Sequence, residues 1–349
     1  MAKHHLFFIH GMGTHSENWV EEERLKDLLK ELYERYEELT ELGGFDDRIQ
    51  CYSVHYNDIF DAQIKRWDDM VSKLRTGLAG SPGLVQGDID GLIELAQKPQ
   101  SGIDEKNFFY THVLDVLFYK FTLLNRQIII ECAKQIFDKV SDHIQDSDSR
   151  FSIIGHSLGT SVAHGTLQAL YTEPEYTDLS QAVKFEMVFQ VSNTSYVLSR
   201  NRNDHYRHVF PGRPTSNAVC KRLFNVSHAL DIFSELVPFD PPEAWPNASD
   251  KGLYIPIRIS RFNNRNIHGL THYFSNPKVH VAFFNCLFGR SAIPKNRFDE
   301  AWKHYLQASP EGRYKDLEEK LKNLKLTDRQ SWTALMNAWK VFIDSMEDL

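Results

Sequence analysis

The sequence predicts an α/β architecture: a mostly parallel sheet of about six strands with a long helical insertion and C-terminal helices. Three observations predict it. Short apolar, β-branched runs alternate with segments of helical spacing, the pattern of a parallel sheet covered on both faces. The 349 residues are 42% hydrophobic and 25% charged, which supports a sizeable core and argues against wholesale disorder. A glycine-marked run at 155–159 joins an apolar run to a segment of small residues, which reads as strand, tight turn and helix.

The elements follow in order. Residues 6–9, Leu-Phe-Phe-Ile, form the first expected strand, ending in His10-Gly11. Residues 19–40 carry Glu, Lys and Leu at helical spacing. Residues 49–55 and 151–154 read as strands, 161–171 as a helix, then 185–191, 223–226 and 254–259 as strands and 278–288 as a helix. The connection from about 56 to 151 is too long for one crossover helix and too apolar for a linker. It reads as a helical insertion over about 59–146 within a domain spanning 1–295. Residues 296–349 alternate charged and apolar faces at helical spacing and read as an extension docked on the core.

Composition narrows the function. A net charge of −7 argues against nucleic acid as the main partner, because phosphate binding needs a positive field. Cys51, Cys132, Cys220 and Cys286 are scattered, without metal-clip spacing, and read as reduced thiols of a cytoplasmic protein. The first apolar run is too short for a signal peptide, and no stretch reaches ~18 uninterrupted apolar residues, so no membrane span is expected. Signal-independent export and the oligomeric state stay open.

The chemistry is concentrated in four segments. Phe151-Ser152-Ile153-Ile154 leads into Gly155-His156-Ser157-Leu158-Gly159 and then into Thr160, Ser161 and Ala163. Glycines two residues either side of Ser157 keep Cβ atoms out of a close strand–helix contact. The serine is then presented at a strand's carboxyl end, near the positive end of a helix. This run resembles the nucleophile elbow of lipases and esterases of the α/β-hydrolase superfamily. The resemblance covers roughly residues 6–288 without the insertion. The first strand begins so early that the two antiparallel strands opening many members are expected to be missing, leaving a trimmed sheet.

The resemblance implies a serine hydrolase with a Ser-His-Asp triad, an acyl-enzyme and no cofactor. It makes Ser157 the nucleophile. It makes the backbone N–H groups of Met12, in His10-Gly11-Met12-Gly13, and of Leu158 the oxyanion-hole donors. His10 itself reads as a supporting residue. The family's chain order, Ser then acid then His, points to Asp231 in Asn225-Val226-Ser227-His228-Ala229-Leu230-Asp231, with Glu235 and Asp240 as alternatives. Ile232 stands where the lipase pattern has Pro. The base is expected at His272 in His268-Gly269-Leu270-Thr271-His272-Tyr273, ahead of Asn276-Pro277, with His268 and His280 as alternatives. Gly269 and Asn276-Pro277 favour a loop there over a metal-binding helix, and no third ligand stands at metal spacing, so no metal is expected.

The implied substrate is a carboxylic ester. Apolar stretches in the insertion, such as Phe108-Phe109-Tyr110 and Ile128-Ile129-Ile130, favour a lipid or long acyl ester, or form the insertion's own core. A thioesterase or acyltransferase would use the same triad. A non-catalytic interaction protein on this fold is the reading from a different class.

Overall fold

The computed structural model describes residues 2–11, 13, 15–60, 62, 124–198, 208–213, 217–231, 234, 238–242, 245, 252–261 and 267–308. Six strands form one sheet: β1 (Lys3–Ile9), β2 (Ile49–Val54), β3 (Ser149–His156), β4 (Phe185–Val191), β5 (Cys220–His228) and β6 (Tyr254–Ile259). Their order is β2-β1-β3-β4-β5-β6, and every neighbouring pair is parallel. The flanking helices are α1 (Trp19–Glu22), α2 (Leu25–Glu34), α3 (Glu37–Thr40), α4 (Phe45–Arg48), α5 (Leu124–Ser141), α6 (Leu158–Thr172), α7 (Thr177–Ala182), α8 (Ser195–Leu198), α9 (Leu270–Ser275), α10 (Pro277–Phe288) and α11 (Lys295–Ala308). The class is α/β.

The inner strands are apolar on both sides because both faces are covered. On one face Phe7, Ile9, Ile153, Val188 and Leu223 meet Ile128, Cys132 and Ile136 of α5 and Val162, Leu167 and Leu170 of α6. On the other, Leu6, Phe8, Ile154, Phe189 and Val226 meet Leu25, Leu29 and Leu32 of α2 and Val279, Phe283 and Phe284 of α10. Pro256 lies in β6, at the sheet edge, where its missing N–H leaves no central ladder bond unmade.

The single helical run expected over 19–40 is broken instead. Arg24 takes φ 60°, a left-handed turn between α1 and α2. The apolar positions explain it. Leu25, Leu29, Leu32 and Tyr33 make one buried stripe, which a continuous helix would extend back to the exposed Glu21 and Glu22 rather than to buried Trp19 and Val20. The break at Arg24 re-registers the chain so that both sets face the sheet.

Of the expected insertion, residues 63–123 lie outside the described residues. Residues 124–141 are α5, which packs along α6 on the sheet and makes the crossover into β3. In the C-terminal extension, α11 docks on the core. Tyr305 donates to the Arg261 carbonyl at 2.9 Å, Arg297 pairs with Glu38 at 3.0 Å, and the Lys278 ammonium lies 4.9 Å from the Trp302 ring centre. Residues 309–349 lie outside the described residues. Among the described residues no helix is long and apolar enough to cross a membrane.

The topology also locates a crevice. The chain leaves β1 toward one edge, to β2, then returns past β1 to β3 and continues toward the other edge. Helices at such a reversal diverge, which opens a cleft beyond the carboxyl ends of the two strands. Ile9 of β1 is in register with Gly155 of β3, so His10-Gly11 and Ser157 both emerge at that point.

Candidate active site

Ser157 is the junction between β3 and α6, at φ 52° and ψ −124°. A non-glycine residue held at positive φ costs of order 1–3 kcal/mol and persists only when its surroundings fix it. Here they do. Its N–H donates to the Val191 carbonyl at 3.0 Å. Its carbonyl accepts three bonds, from the Thr160 N–H at 2.9 Å, the Thr160 hydroxyl at 2.7 Å and the Thr194 hydroxyl at 2.9 Å. The Thr194 N–H in turn donates to Thr160 Oγ1 at 3.0 Å. The backbone is therefore anchored at both ends, while the buried Ser157 Oγ has no hydrogen-bond partner among the described residues.

The glycines are needed where the spacing placed them. A Cβ at Gly155 would lie 2.8 Å from the Gly159 carbonyl oxygen and 3.0 Å from Thr160 Cα. One at Gly159 would run into the carbonyl groups of Ile9 and His10, and one at Gly11 would lie 2.9 Å from Ser157 Cβ. The end of β1, the elbow and the first turn of α6 are thus packed backbone to backbone. His10 is buried and stacked on Tyr56, with ring centres 4.0 Å apart, and its Nδ1 donates to the Gly11 carbonyl at 2.8 Å. Burial, reinforced by the neighbouring His15, pushes its pKa well down, which keeps the ring neutral and supports a structural part. Leu158 opens α6, where its N–H is one of the helix's unpaired first-turn donors. Met12 lies outside the described residues.

Asp231 follows β5 in a tight turn closed by its own N–H to the His228 carbonyl at 2.8 Å. Its carboxylate is buried and accepts from His268 Nδ1 at 2.9 Å and from the Tyr273 hydroxyl at 2.7 Å, both at Oδ2. Burial alone would raise its pKa. The His268 ring beside it and the hydrogen bonds from His268, Ser192 and Tyr273 outweigh that and hold the carboxyl well below the usual range, so it is ionised at neutral pH. His268 is fixed from its backbone too, since His156 Nε2–H donates to the His268 carbonyl at 2.6 Å. The His156 and His268 ring centres are 5.0 Å apart, which puts His268 beside the residue preceding Ser157.

The structure therefore joins Asp231 to His268 and not to His272. His272 is buried, both its ring nitrogens lack a hydrogen-bond partner among the described residues, and burial pushes its pKa down to about 4. Its ring faces His228, 5.4 Å away. His280 is tied elsewhere: its Nδ1 donates to the Phe274 carbonyl and its Nε2 accepts from Tyr36, both at 2.8 Å. Of the alternative acids, Glu235 lies outside the described residues, and Asp240 receives Tyr196 on its backbone carbonyl. The loop expected around His272 is the helix α9. Gly269, in extended conformation, caps its start, and Asn276 ends it by accepting the Lys278 N–H at 3.0 Å to open α10.

Sequence reasoning passed over four residues now seen at the site: His156, Ser192, Thr194 and Tyr273. A signal existed for two of them. Ser192-Asn193-Thr194-Ser195 is a short polar run straight after an apolar strand, at the sheet end where the elbow emerges. No group of described residues forms a metal site. The comparisons with known proteins are silent: no family model, curated protein or solved structure matches this chain.

Proposed function

We propose that the chain is a serine hydrolase of the α/β-hydrolase fold, with Ser157 as nucleophile, His268 as base and Asp231 as its orienting acid. One observation carries the reading: a serine pinned at φ 52° on a strand–helix turn follows His156, whose ring centre lies 5.0 Å from that of His268, and His268 Nδ1 is held by a buried carboxylate. With Nδ1–H given to Asp231, the His268 tautomer carries its basic lone pair on Nε2. It takes the Ser157 proton as Oγ attacks an ester carbonyl. The Leu158 N–H at the head of α6 is the described donor for the resulting oxyanion. Collapse expels the alcohol, which takes the proton from His268, and water then releases the acid by the same steps in reverse order. The proposed substrates are carboxylic esters, with acyl and lipid esters foremost on the strength of the apolar stretches in the insertion, such as Phe108-Phe109-Tyr110.

Fluorophosphonate labelling and hydrolysis of p-nitrophenyl esters test it. Wild-type protein is expected to label once, at Ser157. Ser157→Ala should abolish labelling, and His268→Gln should lower kcat/KM by at least about 10³-fold. His272→Gln should keep most of the rate. Labelling that survives Ser157→Ala would sink the proposal, and a larger loss at His272 than at His268 would overturn the choice of base.

A further inference from the structure

We infer that Ser192 is a positioning residue for this site, its hydroxyl joining His268 and Asp231 into one hydrogen-bonded unit. The inference rests on the proposed serine-hydrolase reading. Ser192 directly follows β4, is fully buried, and is held by its N–H to the Val226 carbonyl at 2.9 Å. Its Oγ lies 3.2 Å from His268 Nδ1, the same nitrogen that reaches Asp231 Oδ2 at 2.9 Å. The Nδ1–H is therefore shared between the serine oxygen and the carboxylate, and the serine O–H is left to donate to the Asp231 carboxylate.

The backbone strengthens the argument. Ser192 sits at φ 51°, a region in which glycine is comfortable and a side-chain-bearing residue is strained. If the position mattered only as a turn, glycine would fill it better. A serine there bears the strain of its Cβ, and what it contributes in return is a hydroxyl aimed at the His268–Asp231 pair. Ser157, the proposed nucleophile, shows the same combination of positive φ and a needed hydroxyl.

Ser192→Gly separates the two roles. It relieves the backbone and removes the hydroxyl, so a structural residue and a positioning residue respond in opposite ways. The expected result is a melting temperature at or above wild type, with kcat on p-nitrophenyl butyrate down roughly tenfold to a hundredfold and KM little changed. The rate of fluorophosphonate labelling should fall with kcat. Ser192→Ala should lose kcat equally, because it also lacks the hydroxyl. A wild-type kcat in Ser192→Gly would overturn the inference. So would a joint fall of melting temperature and kcat, which marks a structural role. Absence of labelling in the wild-type protein would instead refute the serine-hydrolase reading on which it rests, and the inference with it.

Discussion

The packing of α6 against the end of β1 makes a sharp prediction, because one substitution can be made twice in the same helix. At Gly159 an added Cβ would lie 2.8 Å from the Ile9 carbonyl carbon and closer still to the Ile9 and His10 oxygens. At Gly165 it would lie 2.8 Å from Ile129 Cγ1 and closer still to Cδ1. At both positions the nearest atoms lie well inside a normal contact, carbonyl oxygens at 159 and a side-chain methyl carbon at 165. Relief of either needs about 1 Å of separation to restore a normal contact. What must move differs. At 165 it is the tip of one half-buried side chain, which can turn to another rotamer for ~1 kcal/mol, and the gain of alanine over glycine inside a helix is also ~1 kcal/mol. At 159 it is the backbone of β1 or the whole first turn of α6, and both carry the site.

Gly165→Ala should therefore be near neutral in stability and activity. Gly159→Ala should cost ~1–3 kcal/mol, as overpacking against an unyielding backbone does. It should also shift Ser157 and the Leu158 N–H relative to His10-Gly11 by a large fraction of an ångström, which lowers kcat/KM ~10- to 100-fold. Thermal melts read the first effect and p-nitrophenyl ester hydrolysis the second. Equal behaviour of the two alanine variants would refute the reasoning, whichever way they agreed, because it would mean that the backbone contact at 159 is no harder to relieve than a side-chain contact.

Other outcomes follow from the same geometry. Thr194→Val removes one of three donors to the Ser157 carbonyl and should cost ~1 kcal/mol in urea unfolding with slower labelling of Ser157; unchanged labelling would show that Thr160 alone holds the elbow. His156→Phe frees the His268 carbonyl of its 2.6 Å bond and should lower kcat about tenfold at similar KM, which a full kcat would contradict. Burial pushes His280 down to about 4, and burial with the nearby Arg48 does the same to His4, against about 6.5 in the unfolded chain. Between these values the unfolded chain binds more protons, so stability is full above pH ~6.5 and falls as pH drops toward ~4, by up to ~3 kcal/mol per ring. Equal urea midpoints at pH 7 and pH 4.5 would contradict this.

How far the site could be read in advance depended on whether a residue's role is local. The elbow is local: Gly155, Ser157 and Gly159 act within five residues, and an apolar strand run announces them. The four inner strands β1, β3, β4 and β5 were legible for the same reason, since an inner strand covered on both faces must be apolar throughout, and the edge strands β2 and β6 by their short apolar, β-branched runs. The partner of Asp231 is not local. His268 and His272 stand four residues apart in one segment, and spacing to Asn276-Pro277 favours His272. What decides is that α9 begins only at Leu270. His268 lies ahead of the helix, where Nδ1 reaches the carboxylate, whereas His272 is inside the helix with its ring beside His228.

Ser192 was hidden for a deeper reason. A turn needing positive φ usually announces itself as glycine, so a glycine in a sequence is read as conformational freedom. A serine in the same conformation leaves no such trace. Ser157 escaped this only because glycines flank it, and nothing flanks Ser192 in that way. The two serines occupy equivalent points of adjacent strands, each one residue past a strand end, with the N–H of Ser157 bonded to Val191 and that of Ser192 to Val226. Each N–H is thus anchored to the next strand across, so the sheet itself holds both serines in a conformation they would not adopt alone. That places the strain in the rigid part of the molecule rather than in a loop, where it would relax. It is why removing the Ser192 hydroxyl without removing the strain, as Ser192→Ala does, should leave the backbone in place and the site impaired.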